Sequence, residues 1–374
     1  MHFHHSLALV ATLFLLDAAS AQPPGKTLGF TFDEWGYALY EMPGAAECPA
    51  GLQISDLDMF RAQYQTEEEQ NQALSKHGFY LNRGPNGESD WLYPQLVTEP
   101  VVYREVQSKI AIGKNLDGTT DGKGTGKTCA HEKFVDPQGH PGVDNQMYRV
   151  LGCHAGWKKG GFLSDFVHNL LRNEPYDRLL VEISNVHDLQ NDPDVTVSFY
   201  KGRDQLIMDG GANGGKPVPW QTQRIDDRFP EYIQSTHGRI ENGVLKTAPA
   251  NVRFAQLQVI RVPGEFRLLD MQLELRLTEN GAEGLMVGYH DTDNWWKNYR
   301  KLGLGAPSVE LQSGPGVYAA LQRYADGRRD ETTGKCTAIS AAYQIHATSV
   351  LVVHNNDQTK SNPQVIAASG PAPK

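Results

Sequence analysis

Along the second half of this chain, apolar and polar residues alternate with a period of two. Leu180–Val186, Val195–Tyr200, Val252–Leu257 and Leu273–Leu277 each place apolar side chains on one face of an extended segment and polar ones on the other. Between and beside these runs lie Gly202, Gly210-Gly211, Gly214-Gly215, Asn242-Gly243 and Asn280-Gly281, residues that adopt tight-turn conformations at little steric cost. Short strands joined by such turns predict a mainly β fold. The expected architecture is an antiparallel β-sandwich or jelly roll with helical insertions, with its core at 178–293.

The period changes to that of a helix elsewhere. Ser55 precedes Asp56–Arg61, and Thr66-x-x-Glu69 forms a capping box ahead of Gln70–His77, closed by Gly78. Val143, Met147, Val150 and Leu151 recur at helical spacing, as do Phe162, Phe166, Leu170 and Leu171 after the Gly160-Gly161 break. Tyr318–Tyr324 predicts a further helix, and Val97–Val106 a strand split by Pro100, after the turn-rich loop Asn82–Gly87. The chain thus divides into a mixed region at 22–113, an acidic Gly-rich loop with helices at 114–177, and the β core at 178–293. A helix and strand follow at 294–354, and a tail at 355–374, rich in Asn, Ser, Pro and Ala, is expected to be disordered.

Residues 1–21 combine an apolar run, Leu7–Leu16, with Ala19-Ser20-Ala21 ahead of Gln22, the pattern of a signal peptide, although histidines stand where Lys or Arg is usual. The expected product is secreted or periplasmic. The apolar run is about half the ~20 residues needed to span a bilayer, and no membrane span is expected after cleavage; the best later segment, Ser349–Val353, is shorter still. The net charge of −9 argues against a nucleic-acid partner, which needs a concentrated basic face. Cys48, Cys129, Cys153 and Cys336 make an even set for an oxidising compartment, so two disulfides are expected. Of the three pairings, Cys129 with Cys153 and Cys48 with Cys336 is favoured. Without a C-x-x-C pair, zinc is disfavoured.

The densest chemistry lies around Cys129. Asn115, Asp117, Thr119, Asp121, Asp136, Asp144 and Asn145 are threaded through a Gly-rich backbone, and oxygen side chains so spaced can converge on one hard cation, making calcium the expected ion. Asp117–Gly122 reads D-x-T-x-D-G, the opening of an EF-hand loop, but Thr128 stands where the closing Glu belongs. The second cluster, 136–145, would have to fold back to complete the site. The alternative is that these residues form Asx-turns and a helix cap with no ion.

Asn115-Leu116-Asp117-Gly118, then Cys129, then Pro137-x-Gly139-x-x-Gly142-Val143-Asp144-Asn145-Gln146 resembles a segment of uncharacterised secreted bacterial proteins. In those proteins "LDG" and "PDGxxGxDNQ" elements flank a cysteine. Gly238–Leu245 is similar to their "GRIxDGxL" strand pair, with Asn242 in place of Asp. The resemblance implies secretion and a shared fold, and no activity. This chain departs from it at Gln138, where the second element has Asp.

Other motifs fail on inspection. Gly126-Lys127-Thr128 ends like a phosphate loop, but Asp121 occupies the place of its first glycine; His131-Glu132 lacks the second zincin histidine, and no G-x-S-x-G occurs. Tyr289–Trp296 sets Trp295 and Trp296 beside Asp291 and Asp293, a combination that can stack on a sugar ring and bond its hydroxyls, or else close the β core and cap a turn. The favoured expectation is a secreted binding or structural protein with a calcium-binding loop, its partner unassigned between a carbohydrate and a cell-envelope component, and with no catalytic residues; a carbohydrate-binding β-sandwich is an alternative. The rival is a polysaccharide-active enzyme drawing two carboxylates from Glu182, Asp204, Glu274 and Asp291.

Overall fold

The computed structural model describes residues 25–54, 56–77, 86–97, 102–211, 215–257, 263–305, 314–355 and 364–365. The expected signal peptide, most of loop 82–87 and most of the tail lie outside them. Strand β1 (Lys26–Tyr37) comes first, followed by helices α1 (Asp56–Gln63) and α2 (Glu67–His77). The acidic loop carries the short strands β2 (Phe134–Val135) and β3 (Pro141–Val143), then helices α3 (Gln146–Leu151) and α4 (Phe162–Asn173). Strands β4 (Leu179–Val186), β5 (Asn191–Lys201), β6 (Gln221–Arg224), β7 (Gln234–Glu241), β8 (Val244–Thr247), β9 (Ala250–Leu257), β10 (Pro263–Leu277) and β11 (Gly281–Asp291) follow. Helices α5 (Thr292–Gly305) and α6 (Gly314–Tyr324) precede β12 (Gly327–Arg329) and the long strand β13 (Cys336–Val353).

These strands form a barrel rather than the expected sandwich. The order β1-β4-β5-β7-β8-β10-β11-β13 is antiparallel throughout, and β13 pairs back onto β1 through register pairs such as Phe30 with Ser349. Closure therefore comes from the two ends of the described chain, outside the 178–293 stretch. Alternation reveals which face of a strand is buried, whereas an edge partner this distant leaves no local trace.

The interior is filled by the inward faces of the strands, among them Phe32, Ile183, Val197, Leu273, Leu275, Met286 and Ile345. Near one mouth the filling is aromatic. Trp35 makes edge contacts with Phe254, Phe266 and Tyr343 at centroid distances of 6.1, 4.4 and 5.8 Å, an arrangement favoured by the ring quadrupoles.

Local signals hold where the chain acts alone. Glu69 N donates to Thr66 Oγ1 at 3.2 Å while Thr66 N donates to Glu69 Oε2 at 3.0 Å, the reciprocal capping box. Asn242 and Gly243 have φ of 52° and 74° and turn β7 into β8, as an Asn-Gly hairpin requires. The strand expected at Val97–Val106 is absent among its described residues, since Val102–Val106 is irregular.

All four cysteines are bonded, but with other partners than expected: Cys48 with Cys153 and Cys129 with Cys336. The acidic loop lies across the β12–β13 end of the barrel, where Cys129 N donates to Asp326 O at 2.8 Å, so Cys129 faces the start of β13. Cys48 and Cys153 share a small core with Leu39, Val106, Phe134 and Tyr148. The packing surface of the loop, which spacing does not encode, decides the pairing. No described helix is long and apolar enough to cross a membrane.

Candidate functional site

Two places concentrate chemistry: the junction of the acidic loop with the barrel, and a groove along the outer wall. At the junction, Asp117 and Asp144 converge as the sequence suggests, but on side chains of the protein. Lys133 Nζ donates to Asp117 Oδ1 at 2.7 Å and to Asp144 Oδ1 at 2.5 Å, and His131 Nε2 lies 2.7 Å from the same Asp144 oxygen. The side chains of Lys133, His131, Asp117 and Asp144 are only 5, 8, 0 and 0 % exposed. Asp326, also buried, comes from the segment ahead of β12; it accepts from Ser340 N and Ser340 Oγ, both at 2.7 Å.

Lys133 and His131 supply the cationic groups at hydrogen-bond distance of Asp117 and Asp144. Burial alone would raise the Asp117 carboxyl, but hydrogen bonds from Lys133 and Thr119 outweigh it and hold the group below the usual carboxylate range. Burial works against the His131 proton, yet Asp144 and Asp326 raise its pKa overall. Among the described residues no cation lies at hydrogen-bond distance of Asp326, His131 Nε2 being 3.7 Å away, and burial pushes its pKa up to about 6 against the pull of His131 and Ser340.

The other expected cation ligands stand elsewhere. Asn115 closes a turn, with Gly118 N donating to its Oδ1 at 2.8 Å, and Thr119 Oγ1 donates to Asp117 Oδ1 at 2.8 Å. Asp121 is exposed beside Lys123. Asp136 accepts from Gln138 N at 2.9 Å and pairs with His140 in its own turn. Asn145 Nδ2 donates to Ile112 O at 2.8 Å, tying the loop to the start of α3. Of the seven, only Asp117 and Asp144 share a centre. His131, Lys133, Asp326 and Ser340 were missed; the alternate spacing of His131 and Lys133 in an extended segment was the available signal.

The tryptophan pair is also placed differently from the sugar platform. Trp295 is 8 % exposed and stacks on Tyr299 at 4.6 Å; Trp296 is 4 % exposed and stacks on Trp91 at 5.7 Å. Asp291 caps α5 by accepting from Asn294 N at 2.7 Å, and Asp293 is exposed in the first turn of that helix. Trp295 does line a small cavity of about 80 Å³ at the aromatic mouth, with Trp35, Tyr37, Phe266, His290 and Tyr343. There His290 Nε2 meets the Tyr343 hydroxyl at 2.5 Å, and burial drives the His290 pKa down to about 3, so the ring is neutral.

The groove, about 730 Å³, runs over the outward faces of β10, β11, β13 and β1 beneath α4 and Trp157. Strand register builds its floor. Glu34 opposes His346, His346 opposes Glu283, and Glu283 opposes Arg276, a charged row across four strands. One step along, Glu274 opposes Leu285, which makes Glu274 and Glu283 diagonal neighbours on one face. That relation sets their backbones roughly 7–8 Å apart. Trp157 and Tyr37 meet edge to face at 5.1 Å and form the aromatic wall; His168 and Ser164 of α4 overhang Gly36.

Glu274, alone among the four rival carboxylates, lies in the groove, where it is paired with Lys114. Glu182 sits beside Tyr200 and His354, and Asp204 binds Arg224 through Nε at 3.0 Å. Glu34, Glu41 and Glu283 share the groove with Glu274, and Glu283, its diagonal neighbour, has no motif around it. Compared with known proteins, the chain matches no family model, no curated protein and no solved structure.

Proposed function

We propose that this chain is an exported binding protein that takes a polar, ring-bearing ligand of the carbohydrate class in the outer-wall groove. The observation that carries the reading is the groove itself. Its volume of about 730 Å³ falls within the range of small-ligand sites, and it joins an aromatic wall, Trp157 and Tyr37, to a floor of carboxylates and imidazoles. An aromatic ring face accepts sugar C–H groups, and Glu34, Glu283, Gln344 and His346 offer acceptors and donors for hydroxyls. Export is supported by the pattern of residues 1–21 and by two disulfides, which form and persist in oxidising compartments.

The test is titration of the purified protein with a panel of soluble oligosaccharides, followed by tryptophan fluorescence and calorimetry. Saturable binding that is lost in Trp157→Ala and weakened in Glu283→Gln is the expected result. If no glycan binds at millimolar concentration, or binding survives Trp157→Ala, the groove is not the site.

The diagonal placement of Glu274 and Glu283 on one face of the groove favours one second reading, hydrolysis of the bound glycan, which needs two carboxyl groups about 5–10 Å apart. Release of reducing ends that disappears in both Glu274→Gln and Glu283→Gln would identify an enzyme. Binding without turnover identifies a receptor.

A further inference from the structure

We propose that Asp117, His131, Asp144 and Asp326 form a cation site whose resident cation is the chain's own Lys133 ammonium, and that removing this amine opens the site to a first-row divalent metal such as zinc or manganese. The ligand atoms of Asp117, His131 and Asp144 lie within 4.8 Å of one another, a spacing that a single ion can bridge. Lys133 Nζ occupies the middle of that arrangement, bonded to one oxygen of each aspartate at 2.7 and 2.5 Å. Because both carboxylates are fully buried, deleting the amine leaves uncompensated charge, which the folded chain tolerates poorly. The folded chain must then neutralise that charge, and a bound cation does so without protonating either carboxylate.

A second observation points to the same centre. The Tyr289 hydroxyl is buried and has no hydrogen-bond partner among the described residues, in a residue only 5 % exposed; Tyr289 opposes Ser340, which holds Asp326, and its ring lies against Gly327 beside Asp326. An unsatisfied phenol on the Asp326 side of the cluster is a spare oxygen donor beside these carboxylates. The surrounding groups also hold the ligands still. Cys129 O engages His131 Nδ1 at 2.8 Å, and Ser340 holds both oxygens of Asp326.

The donor set selects the metal. One imidazole with carboxylates suits zinc or manganese, whereas calcium requires six to eight oxygens. In the native chain the built-in amine makes closure of the loop over the barrel end independent of any metal supply.

The experiment compares thermal melts of the wild-type protein and Lys133→Ala in EDTA, zinc chloride, manganese chloride and calcium chloride, with metal content measured after desalting. The wild-type midpoint is expected to be the same in all four and to retain no metal. Lys133→Ala is expected to melt lower in EDTA and to recover with zinc or manganese, its midpoint rising with the logarithm of metal concentration and about one equivalent retained. Stoichiometric, EDTA-reversible metal in the wild type overturns the proposal, as does a folded Lys133→Ala that takes up neither metal. Should that variant fail to fold in any of the four solutions, amine labelling of the native wild type decides. Lys133 is expected to be protected relative to Lys123, whose side chain is 83 % exposed, and equal labelling of the two overturns the proposal.

Discussion

Replacing Asp326 by asparagine should stabilise the protein at neutral pH and have little effect in acid. Asp326 is 0 % exposed, and its pKa in the folded protein is about 6 against an ordinary 3.8. The folded chain thus holds this proton more tightly than the unfolded chain does. Its contribution to stability is fully present below about pH 4 and is lost as the pH rises through about 6. A difference of about two units corresponds to about 3 kcal/mol. Asparagine mimics the protonated acid, since its carbonyl still accepts from Ser340 N and its amide can donate to Ser340 Oγ. His131 loses one of the charges that raise its own pKa, which takes back part of the gain, so about 3 kcal/mol is an upper bound. With an unfolding entropy of about 2.1 cal/mol/K per residue, a chain of this length gains at most about 4 °C. The assay is a series of thermal melts of wild type and D326N from pH 4 to pH 8. A stability difference that grows with pH is expected; a flat difference, or a wild type more stable at pH 8, refutes the reasoning by showing that the Asp326 carboxylate is fully compensated.

Non-reducing peptide mapping should recover Cys48 joined to Cys153 and Cys129 joined to Cys336. Replacing the second pair with serine removes a cross-link spanning 207 residues, worth about 5 kcal/mol on the chain-entropy estimate and roughly 7 °C in midpoint. A drop under 2 °C would mean that the barrel end is held by packing alone. Phe254→Ala should cost about 3–5 kcal/mol in denaturant unfolding, because the ring is 2 % exposed and wedged among Trp35, Phe199 and Phe266. A loss below 1 kcal/mol would show that the aromatic mouth refills the space.

The features legible along the chain are local ones. The period-two runs became β4, β5, β9 and part of β10; the capping box at Thr66 and the Asn242-Gly243 turn formed as written; and helical spacing located α3, α4 and α6. Each of these depends on neighbours within a few residues, where sterics and hydrogen-bond geometry leave few options. Of the aspartates expected to converge, Asp117 and Asp144 meet on Lys133, whereas Asp121 and Asp136 stay in their own turns. Which strands met, which cysteines paired and which cation sat between the aspartates were settled only by tertiary structure. Barrel closure joins β1 to β13, Cys129 reaches Cys336 because the loop packs on that end, and Lys133 reaches both aspartates by the same docking. The groove shows this most plainly: Glu34, His346, Glu283 and Arg276 are scattered along the chain and form a row only through strand register. Contacts at such separation are selected by the burial of whole faces, a sum over many residues that no short motif carries.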